Sequence, residues 1–156
     1  MRSSNNQIFI ASDHAGFAMK KILSQHLVDL GVEVIDLGPQ TEESVDYPDY
    51  AVKLARTMKP LPRAMGILVC GTGIGMSLAA NKVRGIRCAL CGDCYSAKMS
   101  RAHNNANMLA LGARVIGAEL AKLIVETWLD TPFEGGRHQR RVDMVMALEQ
   151  DGGENV

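Results

Sequence analysis

Residues 70–75 read Cys-Gly-Thr-Gly-Ile-Gly, a thiol followed by glycine at every second place. Glycine admits positive φ and lets peptide N–H groups approach a ligand closely. Set between a strand and a helix start, those groups and the helix dipole form an anion site. The thiolate is the form of cysteine that takes up a proton, and N–H groups aimed at sulfur stabilise it. Cys70 is therefore a candidate proton carrier, with Gly71, Gly73 and Gly75 as a candidate anion hole beside it. The plainer alternative is a packing thiol above a tight turn. A tight turn needs one glycine, not three.

Three further groups of polar residues fall where elements should end. Asp13-His14 follows the apolar run IFIAS. Asp13 could simply cap the next helix, but His14 beside it suggests a pair facing a ligand. His103-Asn104-Asn105 closes a helical stretch, where a histidine either complements the dipole or serves a site. In GGRHQRR, Arg137 and Arg141 are four apart and share one helix face. They stand at the beginning of that helix, where cations oppose the dipole. A bound phosphate would reconcile the arrangement; a solvated basic turn is the alternative.

Other chemistries fit poorly. A dinucleotide fingerprint needs a third glycine where Met76 stands, and a P-loop needs Gly-Lys-Ser/Thr where Gly71 precedes Thr72. CALCGDC (88–94) lacks the fourth cysteine of an iron–sulfur run. Seventeen basic residues balance seventeen acidic ones, so there is no global attraction to nucleic acid or to a membrane surface. Any anion site must be local.

The elements that would position these groups alternate. Strands are expected at 7–12, 32–38, 65–70, 86–92 and 108–113. Helices are expected at 17–31, 50–58, 74–83, 95–103, 118–130 and 137–150. PQTEESVDYPD, before 50, reads as a loop, and two cysteines of CALCGDC fall in a strand expected to be buried. Strand–helix alternation with apolar, β-branched strands predicts an α/β fold: a single three-layer Rossmann-like domain spanning 1–156. Its five-stranded parallel sheet should carry helices on both faces, and ligands should bind outside the strands' carboxyl ends. The ends, 1–6 and 151–156, are expected to fray. At 156 residues, 47% of them hydrophobic and 22% charged, the composition is that of a soluble globular protein. The first apolar run is too short for a signal-peptide core, and four cysteines without an export signal read as free thiols. The cytoplasm is the expected compartment.

Together, SDHAGF (12–17), VDYPDYA (45–51), CGTGIGMSLAANK (70–82), GIRCAL (85–90), SRAHNNANML (100–109) and GGRHQRRV (135–142) resemble the type B ribose-5-phosphate isomerase family. That family also holds galactose-6-phosphate isomerase subunits. The resemblance runs from Ile8 to about Glu149. It implies an aldose–ketose isomerase of a phosphorylated sugar, with no metal and no cofactor. By similarity Cys70 is the base that moves a proton between C1 and C2. Amides of Gly71, Gly73, Ile74 and Gly75 hold the enediolate, Thr72 assists transfer between O1 and O2, and His103 opens the furanose ring. Asp13, His14 and Tyr47 would hold sugar hydroxyls, with Asn104 near the reacting end. Arg114, Arg137 and Arg141 would bind phosphate. One branch of the family uses a glutamate a few residues after the cysteine position; Met76 stands there, so the cysteine variant applies. The resemblance implies a homodimer or homotetramer whose sites draw on two subunits, with no nucleic-acid or membrane partner. Ribose 5-phosphate is the expected substrate. The alternatives are a hexose 6-phosphate (galactose or allose) and a non-catalytic anion- or nucleotide-binding regulatory module. A nicotinamide or flavin oxidoreductase is a further rival on the same fold.

Overall fold

A computed structural model describes residues 7–151. The ends expected to fray lie outside the described residues, apart from residue 151, the last of the final helix. The apolar runs become β1 (Ile8–Ser12), β2 (Val34–Asp36), β3 (Met65–Cys70), β4 (Cys88–Leu90) and β5 (Met108–Gly112). Between and after them lie α1 (Phe17–Asp29), α2 (Tyr47–Met58), α3 (Ile74–Ala80), α4 (Cys94–Ala102), α5 (Ala118–Asp130) and α6 (Arg137–Asp151). All strand pairs are parallel, in the order β2-β1-β3-β5-β4.

Alternation along each strand builds two cores. Ile8, Ile10, Ile67 and Val69 point to one face, against Leu23 and Leu27 of α1 and Ile124 and Trp128 of α5. Phe9, Ala11, Leu68 and Cys70 point to the other, against Leu54 and Met58 of α2 and Met76 of α3. Hence the three expected layers.

The two edge strands are shorter than their apolar runs. β2 keeps three residues of the expected seven, and β4 three of seven, all of them partly or fully exposed. An edge strand pairs on one side only, so its ends lack the second ladder that would hold them extended. Two expectations are corrected here. Tyr47 begins α2 instead of lying in a loop, because Pro48 suits the first helical turn. Of the three cysteines in CALCGDC, only Cys88 is in a strand, while buried Cys91 follows it. Burial pushes the Cys88 thiol up to about 12 and the Cys91 thiol up to about 11, so both stay protonated near neutral pH and act as packing groups.

From β1 the chain moves outward to β2, then returns to place β3 on β1's other side. In open α/β sheets the ligand crevice lies at such a reversal, which here falls beyond Ser12 and Cys70. One buried ion pair fixes its near wall. Lys20 of α1 has no exposed surface, and its Nζ donates to both oxygens of Asp36 (2.7 and 2.9 Å) and to the Pro39 carbonyl (2.6 Å). The Gly38 carbonyl of the same turn accepts the Ser12 N–H at 3.0 Å. Lys20→Met should cost about 3 kcal/mol in urea unfolding, the low end for breaking such a pair. Asp36 keeps about a third of its side chain in water, which limits the penalty of its stranded charge. Unchanged stability would show that the pair does not hold the turn.

Candidate active site

β3 delivers Cys70 to the crevice almost covered, with 5% of its surface exposed. The backbone then turns sharply, and the Gly73 N–H donates to the Cys70 sulfur at 3.1 Å. Gly73 has φ of +79°, and a Cβ there would lie 2.5 Å from Leu90 and 3.0 Å from the Leu111 backbone. Only glycine meets both demands. Thr72 Oγ1 accepts the Ile74 N–H at 3.3 Å, so this side chain is held against its own loop. The loop expected to form an anion hole thus turns one backbone N–H, that of Gly73, onto the sulfur and the next onto Thr72.

The neighbours of this loop come from three elements. Gly16, after β1, approaches β3 so closely that a Cβ would sit 2.1 Å from the Val69 carbonyl. Its N–H donates to Asp13 Oδ1 at 2.9 Å, which holds that buried carboxylate beside the loop. His14 is exposed, and its Nδ1 accepts the Val45 N–H at 3.2 Å. A neutral ring in that bond carries its proton on Nε2, leaving a donor for a ligand. The Tyr47 ring lies where a Cβ on Gly75 would be, 2.7 Å away. Arg114 donates its N–H to the Gly71 carbonyl (2.9 Å), and its side chain runs past Gly71. Asp13, His14, Tyr47, Cys70, Thr72, Gly71, Gly73, Ile74, Gly75 and Arg114 therefore share one end of the sheet.

The remaining candidates do not. Cys70 pairs with Gly112 and Gly66 with Met108, and His103 precedes Met108. His103 and Asn104 thus lie beyond the opposite end of a strand about 13 Å long. Arg87 donates to the carbonyls of Asn104 (3.2 Å) and Asn105 (2.8 and 3.0 Å), and Arg101 donates to the Asn105 side chain and the Ala106 carbonyl. These bonds secure a turn in which Asn105 takes φ of +47°. Arg141 and Asn104 line a cavity of about 460 Å³ with Arg87 and Glu149. Arg137 opens α6, as the spacing predicted.

Two residues missing from the sequence reading join this second half. His138 stacks on His103, and Glu134 faces both rings. Their ligand atoms lie within 4.8 Å of one another. Yet the rings are within 5° of parallel, so their in-plane lone pairs run side by side instead of converging on a metal. The pair is a stack.

One chain therefore carries a thiol-and-amide half and a histidine-and-arginine half at opposite ends of its sheet. The profile of the family described as Ribose/Galactose Isomerase matches residues 8–145. Ribose-5-phosphate isomerase B of Escherichia coli is 51% identical over 92% of this chain and 97% of its own length. The D-erythrulose-4-phosphate isomerase of Pectobacterium atrosepticum is 48% identical over 88% of this chain and 91% of its own. Among solved structures, ribose-5-phosphate isomerase B from Mycoplasma genitalium with bound ribulose-5-phosphate superposes with a TM-score of 0.92. It is 43% identical, covering 96% of this chain and 99% of that one.

Proposed function

The chain belongs to the ribose/galactose isomerase family, and from that premise we propose that it interconverts ribose 5-phosphate and ribulose 5-phosphate through a cis-enediolate. The observation that carries the mechanism is the Cys70 sulfur, held under the glycine loop by the Gly73 N–H. Cys70 takes the C2 proton of the open-chain aldose. The electrons pass into the C1–C2 bond and onto oxygen, where loop amides from Gly71 to Gly75 meet the charge. Because charge grows there only as the proton leaves, these amides favour the transition state over the substrate. Cys70 then returns the proton to C1, while Thr72 assists the O1–O2 transfer.

Asp13, His14 and Tyr47 hold sugar hydroxyls, and Asn104 lies near the reacting end. Arg114, Arg137 and Arg141 take the phosphate, whose binding energy positions carbons it does not touch. His103 exchanges the proton that opens the furanose. Within one chain His103 cannot reach Cys70, so the site is shared between two subunits of a homodimer, or of a homotetramer built from such pairs. Exposed apolar side chains at both ends of the sheet support this: Met144, Val145 and Leu148 on α6, and Ile74, Leu78, Leu90 and Val115 around the crevice. Among the described residues no helix is long and apolar enough to cross a membrane.

Comparing kcat/KM for ribose 5-phosphate, allose 6-phosphate and galactose 6-phosphate, in metal-free buffer, tests the reading. Ribose 5-phosphate should be preferred. A higher value for either hexose phosphate would move the substrate but keep the reaction. Binding without turnover of any of them would favour the regulatory module.

A further inference from the structure

The chain doubles back beside the expected ring-opening histidine in a way that this assignment does not require. Glu134 donates its N–H to the Ala102 carbonyl at 3.0 Å, tying the segment before α6 to the end of α4. Gly135 and Gly136 follow with φ of +66° and +53°, a turn that other residues adopt only with strain. This turn sets the His138 ring flat on the His103 ring, with centroids 4.1 Å apart and planes 5° from parallel. Glu134 Oε2 lies 3.5 Å from His138 Nε2 and 3.8 Å from His103 Nε2. His138 is buried, whereas His103 and Glu134 stay partly open to solvent.

Two cationic rings in such a stack would repel at short range, so the arrangement favours one neutral member. Burial, then the positive charges of His103, Arg137 and Arg141, hold His138 below the usual histidine range; the Glu134 carboxylate works the other way. His138 is thus suited to remain a neutral, fixed plate while its neighbour gains and loses a proton.

We infer that His138 is a positioning residue: its buried ring fixes the plane of His103, and the carboxylate they share fixes which way the His103 ring nitrogens face. The inference rests on the ring-opening role proposed for His103. A proton given to a sugar ring oxygen must be aimed within hydrogen-bond reach, and a small misplacement costs rate steeply. An exposed histidine alone would sample several rotamers.

The test uses two substrates that differ in their need for ring opening. Ribose 5-phosphate is mainly a furanose. Ribulose 5-phosphate is open-chain, since its O5 carries phosphate and O4 could close only a four-membered ring. His138→Ala should lower ribose 5-phosphate turnover at least ~10-fold. Entry of solvent deuterium at C1 of ribulose 5-phosphate should fall less than about two-fold, because that step needs only the thiol. His138→Phe, which keeps a flat ring, should recover most of the turnover. Equal losses in both assays, no loss in either, or a Phe variant as poor as the Ala variant would each overturn the inference. The ¹⁵N resonances of the His103 ring give a readout independent of turnover: one tautomer in the wild type, a mixture in His138→Ala. Unchanged resonances would also overturn it. A wild type inactive on both sugars, with those resonances behaving as expected, would instead reject the isomerase reading while leaving the positioning intact.

Discussion

Cys70→Ala should lower the turnover of ribose 5-phosphate by about 10²–10⁴-fold, while KM for the phosphorylated sugar should stay within a few-fold. The expectation follows from what surrounds the sulfur. Cys70 is the last residue of β3, its Sγ receives the Gly73 N–H, and glycine amides follow at the loop. The other three cysteines belong to β4, the turn after it and the start of α4, and none can substitute at this point. Cys70→Ser should be nearly as poor as the alanine variant despite its similar shape, because a hydroxyl releases its proton far less readily than a thiol. Both variants should also lose deuterium entry at C1 of ribulose 5-phosphate. That loss separates a failed base from a failed ring opening. Removing one small, covered side-chain atom should change stability by only about 1 kcal/mol, so circular dichroism and thermal unfolding remain near wild type. If a folded Cys70→Ala protein keeps more than a tenth of its turnover, another group moves the proton.

This half of the candidate site was legible in the sequence because its signal is local. Strand, thiol and glycines are consecutive, and a loop stripped of side chains has few other uses. Asp13 and His14 follow the same logic, one strand away. Elements in the middle of the sheet were legible for a related reason: β1, β3 and β5 are covered on both faces, and their runs are apolar throughout. Edge strands were overextended, because an apolar run does not reveal how many neighbours will pair with it. What local pattern could not supply was the distance between the halves. α4 carries the chain from the crevice end back to the far end before β5 enters, so His103 is separated from Cys70 by the length of a strand. His138 and Glu134 were missed for the same kind of reason. Their role depends on the turn at Gly135-Gly136, which returns the chain to α4.

That separation yields the second large effect. Cys70→Ala and His103→Ala proteins, each nearly inactive on ribose 5-phosphate, should regain about a quarter of wild-type activity when mixed and allowed to exchange subunits. With equal amounts and random pairing, half of the dimers are mixed. In each mixed dimer one site carries both defects and the other carries neither, so one site in four across the population is intact. A homotetramer assembled from such pairs gives the same fraction. The surfaces that would have to meet are apolar on both sides, α6 with Met144, Val145 and Leu148 and the crevice rim with Ile74, Leu78 and Leu90. In the proposed dimer, burying them would bring the arginines of one subunit toward the glycine loop of the other, which no rotamer change within a single chain achieves across about 13 Å of strand. Native mass spectrometry of differently tagged subunits establishes that exchange has occurred, and the rate is read on the same sample. Were each chain to build its own complete site, every site would keep its defect, and the mixture would stay at the average of its parents. An exchanged mixture that remains at that average removes the shared site, and with it the assignment of His103 to the same reaction as Cys70.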